Sequence, residues 1–292
     1  MVHVGGVATN AVMCRQKALR ALGSLPLFSP ILSKLLSMMA EEEASFGRLA
    51  ELIEKDAVLA GNVLRLVNSA LYGRRGTISS VRHAVSLMGL NKLRNTVLTL
   101  SVAQLWTGPR MPPRWPARRF NLHSVATAVM GDLLAQRTAC EYPEGAFVAG
   151  LLHDIGLLAL ATSHPGEFAE VRRLHVEEGL TIEAAERSVF GLDHAEISSA
   201  ALHKWNLPGP IRRAVGYQFE EEERKGAETP LSWLVRLANQ LIEARRMTIF
   251  ELSGPPPAAA NGDLCAVNGV AIDHERLEAD FEREFEPIKA FS

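Results

Sequence analysis

The sequence predicts an all-α protein, built as a two-lobed helical bundle. Three observations carry the prediction. Apolar residues recur at helical spacing almost throughout, and alternating, strand-like patterns are scarce. Aromatic residues make up only 6% of a chain that is 47% apolar, so Leu, Ala, Val and Ile must fill the core. One stretch, residues 107–119 (TGPRMPPRWPARR), holds four prolines and four arginines and cannot continue a helix. It divides the pattern in two and reads as a solvated linker.

The first lobe spans residues 22–106, after an N-terminal helix or extension over 1–21. Ser29-Pro30 suits a helix start, with Pro at the first helical position, and Ile31, Leu32, Leu35, Leu36 and Met39 follow. Ser45 opens a second helix, with Leu49, Leu52 and Ile53 on one face. Asp56 caps a third, carrying Leu59, Val63, Leu64, Leu66 and Val67. The spacing runs it to Tyr72-Gly73, where glycine suits a left-handed cap. Ser79 or Ser80 opens a short helix that stops at Gly89, and Asn91 caps a long apolar one running to about Leu105.

The second lobe spans residues 120–219, with helices over 120–138, 143–161, 165–178, 181–190, 193–205 and 208–219. Pro143, Pro165 and Pro208 sit near helix starts, and Asp193 with Glu196 has the form of a capping box. Residues 220–292 read as a C-terminal helical extension packed on this lobe. They contain a charged run at Glu220–Arg224, a helix opened by Thr229-Pro230, a loop over 253–261 and an amphipathic helix over about 273–290.

Composition excludes several classes of function. The 31 Lys and Arg against 33 Asp and Glu leave a net charge of −2, which argues against a nucleic-acid partner. No unbroken apolar run reads as a membrane span, and the first residues lack the basic and apolar pattern of a secretion signal. Cys14, Cys140 and Cys265 lie far apart, which argues against a disulfide framework or a zinc ribbon and for a reducing, cytoplasmic setting. A phosphate-binding glycine loop, a GxSxG elbow and an HExxH helix are all missing.

One pair of residues points to chemistry. His153 and Asp154 are embedded in an apolar helix, FVAGLLHDIGLLAL over 147–160. A buried carboxylate is costly unless something pairs with it. That partner is either a metal ion, for which imidazole and carboxylate are natural ligands, or a hydrogen-bond knot that pins helices together. His123 and His194 lie within the second lobe's helical pattern and are the further candidates. His164, His175 and His203 read as ordinary surface histidines, and Glu243 as a solvent-facing partner of a nearby Arg. Asn68, followed by Ser69, reads as a helix-end hydrogen-bonding residue.

The pattern of His123, then His153-Asp154-Ile155-Gly156, resembles the HD superfamily of metal-dependent phosphohydrolases. More closely, the chain resembles the HDOD domain, a bacterial signalling relative of those enzymes. The first lobe carries LAELIEKDAVLAGNVLRLVNSALYG (49–73) and ISSVRHAVSLMGLNKLRN (78–95); Asn68, Ser69, Tyr72 and Gly73 belong to its most specific signature. The second lobe carries FVAGLLHDIG and then GLDHAEISSAALHKWNLP (191–208). The resemblance covers residues 22–219.

The resemblance implies a helical fold with an HD-type second lobe. It also implies a divalent-metal site of His123, His153, Asp154 and a later Asp. That later position is Asn239, so the site is one negative charge poorer than hard divalent ions favour. His194 matches one extra ligand of the two-metal relatives, but their adjacent-His position reads Tyr217-Gln218 and their GYP motif is missing. The expectation is therefore a non-catalytic regulatory module that contacts signalling proteins. The metal site is vestigial, with a weakly bound divalent ion at most. His194, Gln218 and Asn239 would line a cleft with room for a nucleotide. The alternative is a working HD phosphohydrolase.

Overall fold

The computed structural model describes residues 15–16, 18–23, 25, 30–38, 46–69, 78–103, 111–112, 115–219, 228–251 and 272–289. The described residues are helical, and their one β contact is an isolated bridge between Cys140 and Thr229. The first lobe comprises α1 (Pro30–Met38), α2 (Phe46–Glu54), α3 (Ala57–Val67), α4 (Val81–Met88) and α5 (Leu90–Ala103). Asp56 accepts from the N–H groups of Val58 and Leu59 at 3.0 Å, and Ser80 accepts from His83, so both helix starts have their side-chain caps. Gly89 closes α4 with φ 79°. The core of this lobe forms where α5 meets α1, α3 and α4.

Two boundaries differ from the spacing. The helix capped by Asp56 stops at Val67, with Asn68 as its C-cap, and Tyr72 and Gly73 lie outside the described residues. The next long helix begins at Leu90, directly after Gly89, and its described part runs to Ala103.

The second lobe holds α6 (Ala117–Ala135), α7 (Ala146–Leu152), α8 (Ile155–Ser163), α9 (Pro165–Val176), α10 (Ile182–Phe190), α11 (His194–Lys204) and α12 (Gly209–Gly216). Two later helices, α13 (Leu231–Ala244) and α14 (His274–Lys289), follow. The long helix α6 is the axis of the lobe; α7, α13 and α14 all pack on it. A 3₁₀ turn at Arg20–Gly23 reaches across to pack on α8 and α11. The expected charged run at 220–224 and loop at 253–261 lie outside the described residues.

The proline–arginine stretch is not simply a solvated linker. Its last residues are the first turn of α6, and Arg119 donates to the Thr248 carbonyl at 3.0 Å. Trp115 packs against Phe120, Phe168 and Phe250, with ring centroids 5.2, 6.1 and 6.5 Å away. The described residues also correct the membrane reading: Pro143–Ser163 is long and apolar enough to cross a bilayer. It is nevertheless the middle of the core, with 94% of its apolar window buried inside the protein. It is also not one helix. A 3₁₀ turn (Pro143–Gly145), α7 and α8 share it, with a break at His153-Asp154.

Candidate metal centre

The break between α7 and α8 creates the site, and Gly156 and Ser198 set the break. A β-carbon on Gly156 would lie 2.1 Å from the His194 carbonyl oxygen and 2.8 Å from the Ser198 nitrogen. Only glycine lets the first turn of α8 lie against α11. The Gly156 N–H donates to Ser198 Oγ, and that hydroxyl donates to the His153 carbonyl, both at 2.8 Å. Gln218 Nε2 donates to the same carbonyl at 3.3 Å. The interrupted backbone is therefore satisfied in a fully buried setting. His153 and Asp154, freed from helical register, turn toward α6.

There they meet His123. Asp154 Oδ2 lies 3.2 Å from His123 Nε2 and 3.1 Å from His153 Nε2, and the two imidazole nitrogens are 3.3 Å apart. All three residues are buried. The far nitrogens fix the tautomers. His123 Nδ1 is 2.8 Å from the Met247 carbonyl, and His153 Nδ1 is 2.7 Å from the Gly150 carbonyl. A carbonyl only accepts, so each Nδ1 carries a proton. In their neutral forms both Nε2 atoms then present lone pairs to each other and to a carboxylate. Three acceptors converging on one point repel unless a positive charge sits among them. This is the arrangement of metal-ligating histidines, with carbonyls as the supporting shell. The donor set fits a divalent ion, and His123, His153 and Asp154 would hold it.

His194 completes the cluster from the other side. Its Nε2 stands 3.1 Å from Asp154 Oδ1, out of hydrogen-bond alignment, and has no other partner. Its Nδ1 lies 2.6 Å from Glu186 Oε2, and its backbone N–H donates to the same oxygen at 2.9 Å. Burial opposes a charged imidazole, but the flanking Glu186 and Asp154 outweigh it and hold the His194 pKa well above its ordinary value. Burial likewise opposes ionisation of Asp154. The imidazoles of His153, His123 and His194 around it outweigh that and hold its carboxyl well below the usual carboxylate range.

A cavity of about 410 Å³ opens beside the cluster, lined by His123, Asp154, His194, Gln218, Asn239 and Arg236 among others. Asn239 sits on α13 with its Nδ2 3.5 Å from Glu243 Oε1, and its Oδ1 is buried without a partner. The Gln218 side-chain oxygen is buried and unpartnered too. His123, His153, Asp154 and His194 thus form one cluster, and Gln218 and Asn239 face the cavity beside it. Asn68 and Ser69 lie at the end of α3 in the other lobe and take no part.

Three side-chain readings are corrected. Glu243 is not a solvent-facing ion-pair partner; it lines the cavity, and burial pushes its carboxyl up. His175 also lines the cavity, with Nδ1 2.7 Å from the Leu180 carbonyl. His164 is buried, its ring edge-on to Phe190. His203 does lie at the surface, against Arg212. Sequence reasoning missed Glu186 altogether. The signal was present: Glu186 falls on the apolar stripe of α10, between Ile182 and Phe190, where a solvated carboxylate has no place.

The model of the HDOD domain matches residues 25–220. A structure of an HDOD domain protein of unknown function from Geobacter sulfurreducens superposes with a TM-score of 0.77 at 26% identity, covering 96% of this chain and 97% of that one. A candidate signal transduction protein from Marinobacter aquaeolei VT8 superposes at 0.71 and 22% identity, covering 96% of this chain and 65% of that one. For a candidate phosphohydrolase from Shewanella amazonensis SB2B the values are 0.70 and 22%, covering 94% and 98%. At this identity the last two likenesses speak for the fold alone. An uncharacterized protein of Treponema pallidum (strain Nichols) is 25% identical over 234 residues, 77% of this chain and 42% of that protein. The chain thus spans less than half the length of the curated relative it matches. Family match, helical architecture and the histidine–aspartate break between α7 and α8 agree, and the chain belongs to the HDOD domain family.

Proposed function

We propose that this chain is a non-catalytic regulatory module of bacterial signal transduction, which works in the cytoplasm through contacts with partner proteins. Nucleic acid and membrane are not among its partners in this reading. The single observation that carries it is Asn239. At the position where the resemblance calls for a second carboxylate, the cavity presents a neutral amide directed at Glu243. A hard divalent ion held by His123, His153 and Asp154 has one anionic ligand there and is held weakly. When bound, such an ion would supply Lewis acidity. The protein groups beside it supply little else: Asp154 is crowded by His123 and His153 on one oxygen and by His194 on the other. No second carboxylate stands among those ligands to take a proton from water; Glu243 and Glu183 lie on the cavity wall outside them. The cleft then serves as a support for the fold or as a pocket for a nucleotide.

A specific observation favours a second reading, a metal-dependent phosphohydrolase. The two lone-pair-bearing Nε2 atoms beside Asp154 Oδ2 keep the geometry of metal ligands. One experiment separates the readings. Purified protein is analysed for metal content and assayed with manganese against bis(p-nitrophenyl) phosphate and cyclic dinucleotides. The regulatory reading expects substoichiometric metal and no turnover. Turnover that disappears in Asp154→Ala overturns it.

A further inference from the structure

The family block that ends in Leu93-Arg94-Asn95 has no part in the metal centre. Arg94 and Asn95 instead line a groove of about 820 Å³ where the first lobe, the second lobe and α14 meet. Asn95, on α5, is buried and reaches across the lobes, with Nδ2 3.4 Å from Asp132 Oδ2 on α6. Gln136 donates to the same oxygen at 2.9 Å. Both neutral donors go to Oδ2, and no described residue donates to Oδ1. Asp132 is thus a half-buried carboxylate whose described partners are both neutral.

Arg94 is its counterpart. Its Nε and Nη2 both lie 3.4 Å from Asn95 Oδ1, a neutral acceptor at long range. No described carboxylate lies within ion-pair distance of it. The other cations of the groove differ. Lys92 pairs with Glu284, Arg137 with Asp280, and Arg283 with Asp280 at 2.6 Å. A guanidinium is a planar fork built to take a carboxylate or phosphate with two parallel bonds, and this one makes neither. Desolvation dominates at both groups. Burial pushes Arg94 down and Asp132 up, so their mutual attraction does not compensate either of them. Met88, Val129, Leu133 and Phe147 give the same groove its apolar lining.

A guanidinium and a carboxylate whose described hydrogen-bond partners are neutral amides, beside apolar side chains in one cavity, are complementary to a specific chemistry. We infer that the interlobe groove binds a small zwitterion of the apolar α-amino acid class, with its carboxylate on Arg94, its ammonium on Asp132 and its side chain on the apolar lining. A simple anion would leave Asp132 facing it, and a simple cation would leave Arg94 facing it. Only a ligand with both charges on one small body relieves both. This site is separate from the metal centre and does not depend on whether that centre holds an ion.

The test uses the intact chain. Melting temperature is measured with each of the twenty L-amino acids, because a ligand that binds only the folded state raises it. Leucine, isoleucine, valine, methionine or phenylalanine is expected to give the largest rise. Calorimetry then compares L-leucine with 4-methylpentanoate and isoamylamine, which keep its side chain but only one charge each. Both analogues are expected to bind at least about tenfold more weakly, since each forfeits one charge-assisted contact. Arg94→Gln and Asp132→Asn are each expected to weaken L-leucine binding to a similar degree. Three results overturn the inference: no shift with any amino acid, 4-methylpentanoate binding as tightly as leucine, or unchanged affinity in Arg94→Gln. If that variant does not fold, the analogue series decides alone, because it needs no substitution.

Discussion

The side-chain amide of Asn68 grips both backbone groups of Ile78. Its Nδ2 donates to the Ile78 carbonyl at 2.7 Å, and its Oδ1 accepts from the Ile78 N–H at 2.7 Å. The same Nδ2 also donates to the Leu64 carbonyl at 2.8 Å, one turn back in α3. One side chain therefore ends α3 and fixes the point where the chain returns toward α4. Asn68→Asp keeps the acceptor and loses both donated bonds. It is expected to destabilise the fold by roughly 1–3 kcal/mol, measured by urea denaturation. A loss below about 0.5 kcal/mol would show that the loop closes without it.

Gly156 gives a sharper steric test. Gly156→Ala forces α8 away from α11 and breaks the Ser198 clamp, since the new β-carbon would meet the His194 carbonyl at 2.1 Å. The expected cost is at least about 3 kcal/mol. Gly166, in the first turn of α9, is the control, with open space where a β-carbon would go. Gly166→Ala is expected to be neutral or to stabilise by a few tenths up to about 1 kcal/mol. Thermal unfolding of both variants makes the comparison.

Metal affinity should answer to position 239. Asn239→Asp is expected to tighten manganese binding by at least about tenfold, because a carboxylate supplies the anionic oxygen that hard cations favour. Calorimetry against chelator-stripped protein measures it. An unchanged affinity would mean that residue 239 does not reach an ion held by His123, His153 and Asp154.

Glu186 should prove structural. Fully buried, it accepts from both the ring and the backbone of His194. Glu186→Ala leaves two buried donors without a partner. It is expected to cost about 3–5 kcal/mol, read from the melting temperature. Glu186→Gln keeps an acceptor and should cost less.

Much of this was legible in the chain, and the parts that were not share a cause. Asp56, Ser80 and Asp193 could be read as caps because capping is local chemistry between residues two or three apart. The helices of the second lobe followed from spacing for the same reason. The break at His153-Asp154 was invisible, because a stretch from Phe147 to Leu160 that is apolar except for those two residues reads locally as one helix. Only α11, supplying Ser198 from 42 residues away, makes the interruption stable. Glu243 and His175 were misread likewise. Charged residues stand two or three positions from each, and the cavity that shelters them is assembled from elements far along the chain.

One consequence follows from α6. His123 faces the histidine–aspartate cluster, and Asp132 on the same helix faces the interlobe groove. Nine residues separate them, about 14 Å of continuous helix. A helix of this length moves as a rod. It thus couples the two cavities mechanically, as an axle couples two wheels, and α14 bears on the same rod. Whatever rolls α6 at one end arrives as a displaced imidazole at the other.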